Sequence, residues 1–192
     1  YLKKKIKKEN FIRYRQSRHF VSLNNSINRK KYLEASKIVT MNMGMKNSKL
    51  LKKTKYFNNN FSNYGFEDYE FGYRLLKKGF NLIPSKPSIY HLDERNFRSY
   101  LNKIYFLSRY STNILKKINY NSWKQTIYYK IEENLIFNIL SKLKIIYVLI
   151  EISEKIIVFL EKKIFYFPTL YRLAIFLSYY RGYCDRKDKN KK

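Results

Sequence analysis

The chain has 192 residues, of which 41 are Lys or Arg and 14 are Asp or Glu, giving a formal net charge of +27 at pH 7. This length allows one domain with a sizeable core plus an appendage. The single cysteine, Cys184, excludes an intrachain disulfide and a cysteine-based metal site and fits a reducing setting.

No run of 18 uncharged apolar residues is present, so no ordinary transmembrane helix is expected. Basic residues 1–8 are not followed by a continuous apolar core, so no signal peptide is read. The expected location is cytoplasmic, with peripheral contact at the inner face of an anionic membrane. The chain starts at Tyr1 rather than Met, which reads as a piece of a longer or processed protein. The charge invites a nucleic acid or a membrane surface as partner. However, Lys, Asn, Ile, Tyr and Phe dominate, and alanine occurs only at Ala35 and Ala174. The abundant types all have AT-rich codons, so base composition is a sufficient source of the charge.

Residues 1–20 read as a basic helix with Ile6, Phe11, Ile12 and Tyr14 interleaved among Lys and Arg. Such arginines suit phosphates, although a solvated helix face is the plainer reading. Residues 21–37 are Asn-rich and weakly helical from Arg29. Ile38–Ser48 alternates Val39, Met41, Met43 and Met45 and is predicted as a strand. Gly44 within it marks either a place where a ligand approaches the backbone or an irregular strand end. A short helix capped by Asn47 or Ser48 reaches about Lys53, and an Asn-rich loop over 54–65 is anchored by Phe57 and Phe61.

Wound at about 100° per residue, Glu67–Lys78 places Phe71, Gly72, Leu75 and Leu76 on one side. Glu67, Glu70, Arg74, Lys77 and Lys78 fall on the other, and Gly79 is placed to cap the end. Asp68 lands with the apolar side, where an ionised carboxylate needs pairing or the free N–H groups of a first helical turn. It is either a capping acid or a functional carboxylate in a cleft. Phe80–Ile83 and Ser88–Leu92 are predicted as short strands around a turn bracketed by Pro84 and Pro87. His91 ends the second strand, beside Asp93 and Glu94. From Phe97 the pattern is helical, broken at 119–122 and at Pro168, with amphipathic segments at 123–133 and 135–163 and a last helix over 170–180.

The order of a strand carrying MNMGMKN, a helix, a loop, GFEDYEFGYRLLKKGF and a short strand with PSIYH resembles the C-terminal half of a family-2 glycosyltransferase. The residues that carry this are Asn42, Gly44, Met45 and Lys46, then Gly65, Glu67, Asp68, Glu70, Arg74, Leu75 and Gly79, then His91. The specific part spans Ile38–His91, and Gly44 stands where Ser is common in that family. The resemblance implies an α/β fold of the GT-A type. It also implies that Asp68 is the general base toward an acceptor hydroxyl and that Glu67 orients the acceptor. Asn42, Gly44, Gly65 and Arg74 would line the sugar sites, and His91 would ligate a divalent metal, Mn or Mg. The family's Asp-x-Asp lies upstream of this region, whereas Glu9 and Glu34 are the only acids before Asn42.

The expectation is therefore an incomplete α/β GT-A domain over 1–117, lacking the N-terminal nucleotide-binding strands, then a helical extension over 118–183 and a charged, disordered tail over 184–192. Its function would be inverting, metal-dependent transfer of a hexose from a nucleotide-sugar donor to a saccharide acceptor in surface or cell-wall polysaccharide synthesis, and the chain alone would not catalyse it. Two other readings stand beside this one. The first is a basic nucleic-acid-binding protein, although no RNP-like, KH-like or zinc-finger spacing is present and no specific nucleic acid is expected. The second is a non-catalytic membrane-surface module, for which Lys142, Lys144, Lys155, Lys162 and Lys163 lie near apolar residues.

Overall fold

A computed structural model describes residues 10–15, 17, 32–38, 43–44, 56–84, 96–161 and 166–189. A 3₁₀ turn at Ala35–Lys37 precedes α1 (Glu67–Lys77). One long helix then passes from α2 (Phe97–Phe106) through a π-helical turn (Leu107–Ser111) into α3 (Thr112–Ile118). Short helices α4 (Tyr120–Lys124), α5 (Ile127–Glu132) and α6 (Leu135–Leu140) lead to α7 (Lys144–Glu161) and α8 (Pro168–Lys189).

This architecture overturns the α/β expectation: the described residues are mostly helical and contain no strand. The reason is visible at Phe80. Gly79 adopts φ 82°, its N–H bonds Leu76 O, and the Phe80 N–H bonds back to Leu75 O at 3.1 Å. That is a Schellman-type cap, so the backbone group that would begin a ladder closes α1 instead. Leu33 N donates to Leu82 O at 2.7 Å, but neither residue belongs to a strand. Ile38 likewise uses its N–H to close the 3₁₀ turn on Ala35 O. Met43 and Gly44 are irregular, and the remaining predicted strand residues, 39–42, 45–48 and 88–92, lie outside the described residues.

The helical body is organised by α8, which Pro168 opens, a position where the missing N–H costs nothing. Ala174, Ser178 and Gly182 recur every fourth residue and share one face, all three buried. They let α8 approach α2 and the π turn closely. A Cβ at Gly182 would lie 2.4 Å from Tyr105 O, and Ser178 Oγ donates to Leu101 O at 2.7 Å. Phe11 and Tyr14 of helical residues 10–15 pack on the same body, Tyr14 stacking on Tyr171 at 4.8 Å. Arg13 and Arg15 lie over Tyr166 and Tyr100.

A buried ionic cluster fastens α3, α5 and α8. Glu132 accepts from Lys116 Nζ at 2.7 Å, from Arg186 Nη2 at 2.5 Å and from the Tyr179 hydroxyl at 2.5 Å. α8 continues to Lys189 with Cys184 and Arg186 buried, so residues 184–189 are helical where the charge pattern predicts a disordered tail over 184–192.

A smaller apolar cluster holds α1: Phe71 and Leu75 pack with Met43, Phe80 and Leu82. Glu70, expected on the polar side of this helix, is only 1% exposed. It pairs with Arg74 at 2.7 Å, and Arg74 Nη2 also donates to Tyr56 O at 2.6 Å. The loop carrying Tyr56 and Phe57 covers this i, i+4 pair, with Phe57 and Phe71 ring centroids 5.0 Å apart.

Candidate functional site

The approach to α1 is built from two consecutive residues with positive φ. Gly65 sits at φ 107° against Leu107, where an added Cβ would meet Leu107 Cδ1 at 2.5 Å. Phe66 follows at φ 70° as the helix N-cap, a left-handed conformation that is unfavourable for a bulky residue. Packing holds it there: its ring meets Tyr128 at 5.7 Å and Trp123 at 6.2 Å, both edge-on. The π turn contributes Ser111, whose Oγ donates to Tyr64 O at 2.8 Å. Tyr69, one turn into α1, donates its hydroxyl to Ser122 O at 2.9 Å. The start of α1 is thereby fixed to the helical body at several points.

The result is a cleft of about 450 Å³ between α1, the 3₁₀ turn and the α4–α5 junction. Glu67 and Asp68 stand on one wall, where free N–H groups and the positive end of the helix dipole favour carboxylates. Tyr64, Phe66, Tyr69 and Tyr128 give aromatic surface, and Gln125 and Thr126 add polar groups. Glu67 Oε2 is buried without a hydrogen-bond partner. Burial pushes the Tyr128 hydroxyl well above its ordinary value, with Tyr100 and Tyr64 adding to the rise. Tyr69 is pushed up to about 12, first by burial and then by Tyr73 and Glu34. The Tyr69 hydroxyl proton is the one donated to Ser122 O. The described lining residues include two acids and no Lys, Arg or His, in a chain with 41 basic residues.

Of the residues predicted for a site, the structure brings Gly65, Glu67 and Asp68 together in this cleft. Gly44 is exposed and not among the lining residues, and Arg74 faces Glu70 and the 56–57 loop instead. Asn42 and His91 lie outside the described residues. The wall formed by 125–128 was not read from the sequence. Its one local signal is Thr126, whose Oγ1 caps α5 by accepting from Tyr129 N at 3.2 Å. Among the described residues no three His, Cys, Asp or Glu side chains converge on a metal position. These residues alone therefore do not build the divalent-metal site that the resemblance implies.

Comparison with protein families, with characterised proteins and with solved structures returned no match for this chain.

Proposed function

We propose that the cleft holds a neutral saccharide whose hydroxyl is the acceptor in a glycosyl transfer. The observation that carries this is the sign of the cleft: two carboxylates and no basic group among the described lining residues of a chain with net charge +27. A phosphate-bearing or nucleic-acid ligand needs the opposite lining. A sugar offers hydroxyl donors to carboxylates and apolar ring faces to aromatic walls, and Glu67 Oε2 is an acceptor waiting for such a donor. In this reading Asp68 takes the proton from the acceptor hydroxyl as its oxygen bonds to the anomeric carbon of a nucleotide-sugar. The bond to the nucleoside diphosphate breaks, and the diphosphate leaves with the electron pair. Glu67 accepts a neighbouring hydroxyl and fixes the acceptor's orientation.

Two measurements test the reading. Saturation-transfer NMR of the chain with a panel of neutral oligosaccharides is expected to show contact, and Glu67→Gln is expected to weaken it. In an enzyme that joins this chain to a nucleotide-sugar site, Asp68→Asn is expected to lower turnover about 10²–10⁴-fold while acceptor binding persists. Normal turnover by that variant overturns the general-base assignment. Absence of saccharide contact, with salt-dependent RNA binding indifferent to Asp68→Asn, overturns the reading as a whole and favours a nucleic-acid partner.

A further inference from the structure

The apolar stripe of α7 points the wrong way for a core helix. Its inward side carries Ile150, Glu154 and Ile157, all buried, with Glu154 3.3 Å from Arg181 of α8. Ile145, Val148, Leu149, Ile152, Ile156 and Phe159 all face outward, with Ile145 70% and Phe159 64% exposed. At 100° per residue these six span an arc of about 100°, the width of a normal buried face. No acid lies within the arc, and Lys155 borders it, paired to Glu151 at 3.0 Å. The sequence sets Lys142 and Lys144 at one end of the helix and Lys162 and Lys163 at the other. Leu135, Ile136, Ile139 and Leu143, on α6 and the turn into α7, are exposed as well.

We infer that this face of α7 is a docking surface for an anionic lipid bilayer, with the helix lying in the plane of the interface. The inference is independent of the saccharide reading. The length and chemistry of the helix fit that use. Eighteen residues make a cylinder about 27 Å long, apolar on one side, with Lys155 beside the apolar arc and further lysines adjoining its ends in sequence. Among the described residues no helix is long and apolar enough to cross a membrane, and Glu151, Glu154, Lys155 and Glu161 suit α7 to the surface rather than the bilayer core. Charge selects lipid over a second copy of this chain. Closing the face on a copy brings +27 against +27, whereas an anionic leaflet attracts the same lysines.

The test uses the whole chain and vesicles of phosphatidylcholine with or without phosphatidylglycerol. Sedimentation is expected with the anionic vesicles. Ile152→Gln with Phe159→Gln keeps the net charge and is expected to bind about tenfold more weakly with an unchanged melting curve. As a second readout, the indole introduced by Phe159→Trp, read as the difference from the parent's buried Trp123, is expected to shift to the blue with anionic vesicles and to be quenched by brominated acyl chains. Equal binding by the double variant means attachment by charge alone and overturns the inference. So do failure of the unaltered chain to bind, a solution dimer that the double variant abolishes, a drop in the double variant's melting temperature, and an indole signal from Phe159→Trp that brominated lipid leaves untouched.

Discussion

Glu132 sits between two cations, one of them, Arg186, shut off from water with it and the other, Lys116, partly exposed. The Glu132 side chain is 3% exposed and that of Arg186 is 6% exposed. Removing the carboxylate leaves the buried Arg186 and the Tyr179 hydroxyl without this partner, while Lys116, 31% exposed, turns to water. Breaking one partner of a buried ionic group costs roughly 3–5 kcal/mol. Glu132→Ala is therefore expected to lower the stability read from urea melting by that amount, and Glu132→Gln by less, since the amide oxygen still accepts. Equal midpoints for Glu132→Ala and the parent would show that the cluster adds nothing to stability. At this scale an acid pair opening α1 was legible, although Asp68, which the helical wheel set with the apolar side, is only half-buried. Glu70 was not legible. Its burial comes from the loop at 56–57 folding over the Glu70–Arg74 pair, a tertiary event without periodicity in sequence. Phe66 was equally hidden, since only the cage of Trp123 and Tyr128 makes a left-handed phenylalanine tolerable.

Between elements, close approach and buried charge set two further expectations. Gly182 lets α8 touch the backbone of α2, so Gly182→Ala drives a methyl into Tyr105 O and is expected to cost about 1–3 kcal/mol, read by thermal or urea melting. Where α7 meets α8, burial pushes the Glu154 carboxyl above its ordinary value; Arg181 opposes this, Glu151 adds to it, and Arg98 and Lys155 oppose it. The folded chain thus holds this proton more tightly than the unfolded chain. The stabilising effect is fully present below the ordinary carboxylate value of about 4.3 and is lost as pH rises through the folded value. Glu154→Gln is expected to remove that loss, so that its stability exceeds the parent's increasingly as pH rises above about 4 through the raised folded value. Parallel pH profiles would show that Arg181 cancels the burial. The helices from Phe97 onward were readable because their apolar spacing is helical over long stretches. The strand at Phe80–Ile83 was misread because four residues of mixed character have no period to speak of, and the α1 cap uses the backbone group a strand would have offered. The apolar stripe of α7 was legible as a stripe but not as an outward one, because periodicity fixes a face and not what the face meets.

Across the whole molecule, charge is segregated rather than uniform. Basic residues prevail overall, the cleft wall carries Glu67 and Asp68, and the apolar arc of α7 carries no charge. The cleft draws on segments near residues 35, 65, 107 and 125, which no local motif links. Gly65, Glu67 and Asp68 are neighbours in sequence and could be named together, whereas residues 125–128 join them only through the tertiary fold.

The Glu132 cluster also sets an order of events during synthesis. Lys116 and Glu132 leave the ribosome well before Arg186, and the faces of α2 and the π turn that receive Ala174, Ser178 and Gly182 are made before α8 exists. Until residues 168–189 are made, Lys116 and Glu132 lack the Arg186 and Tyr179 members of their cluster. The ionic cluster and the small-residue contact of the helical body therefore close only once α8 has been made.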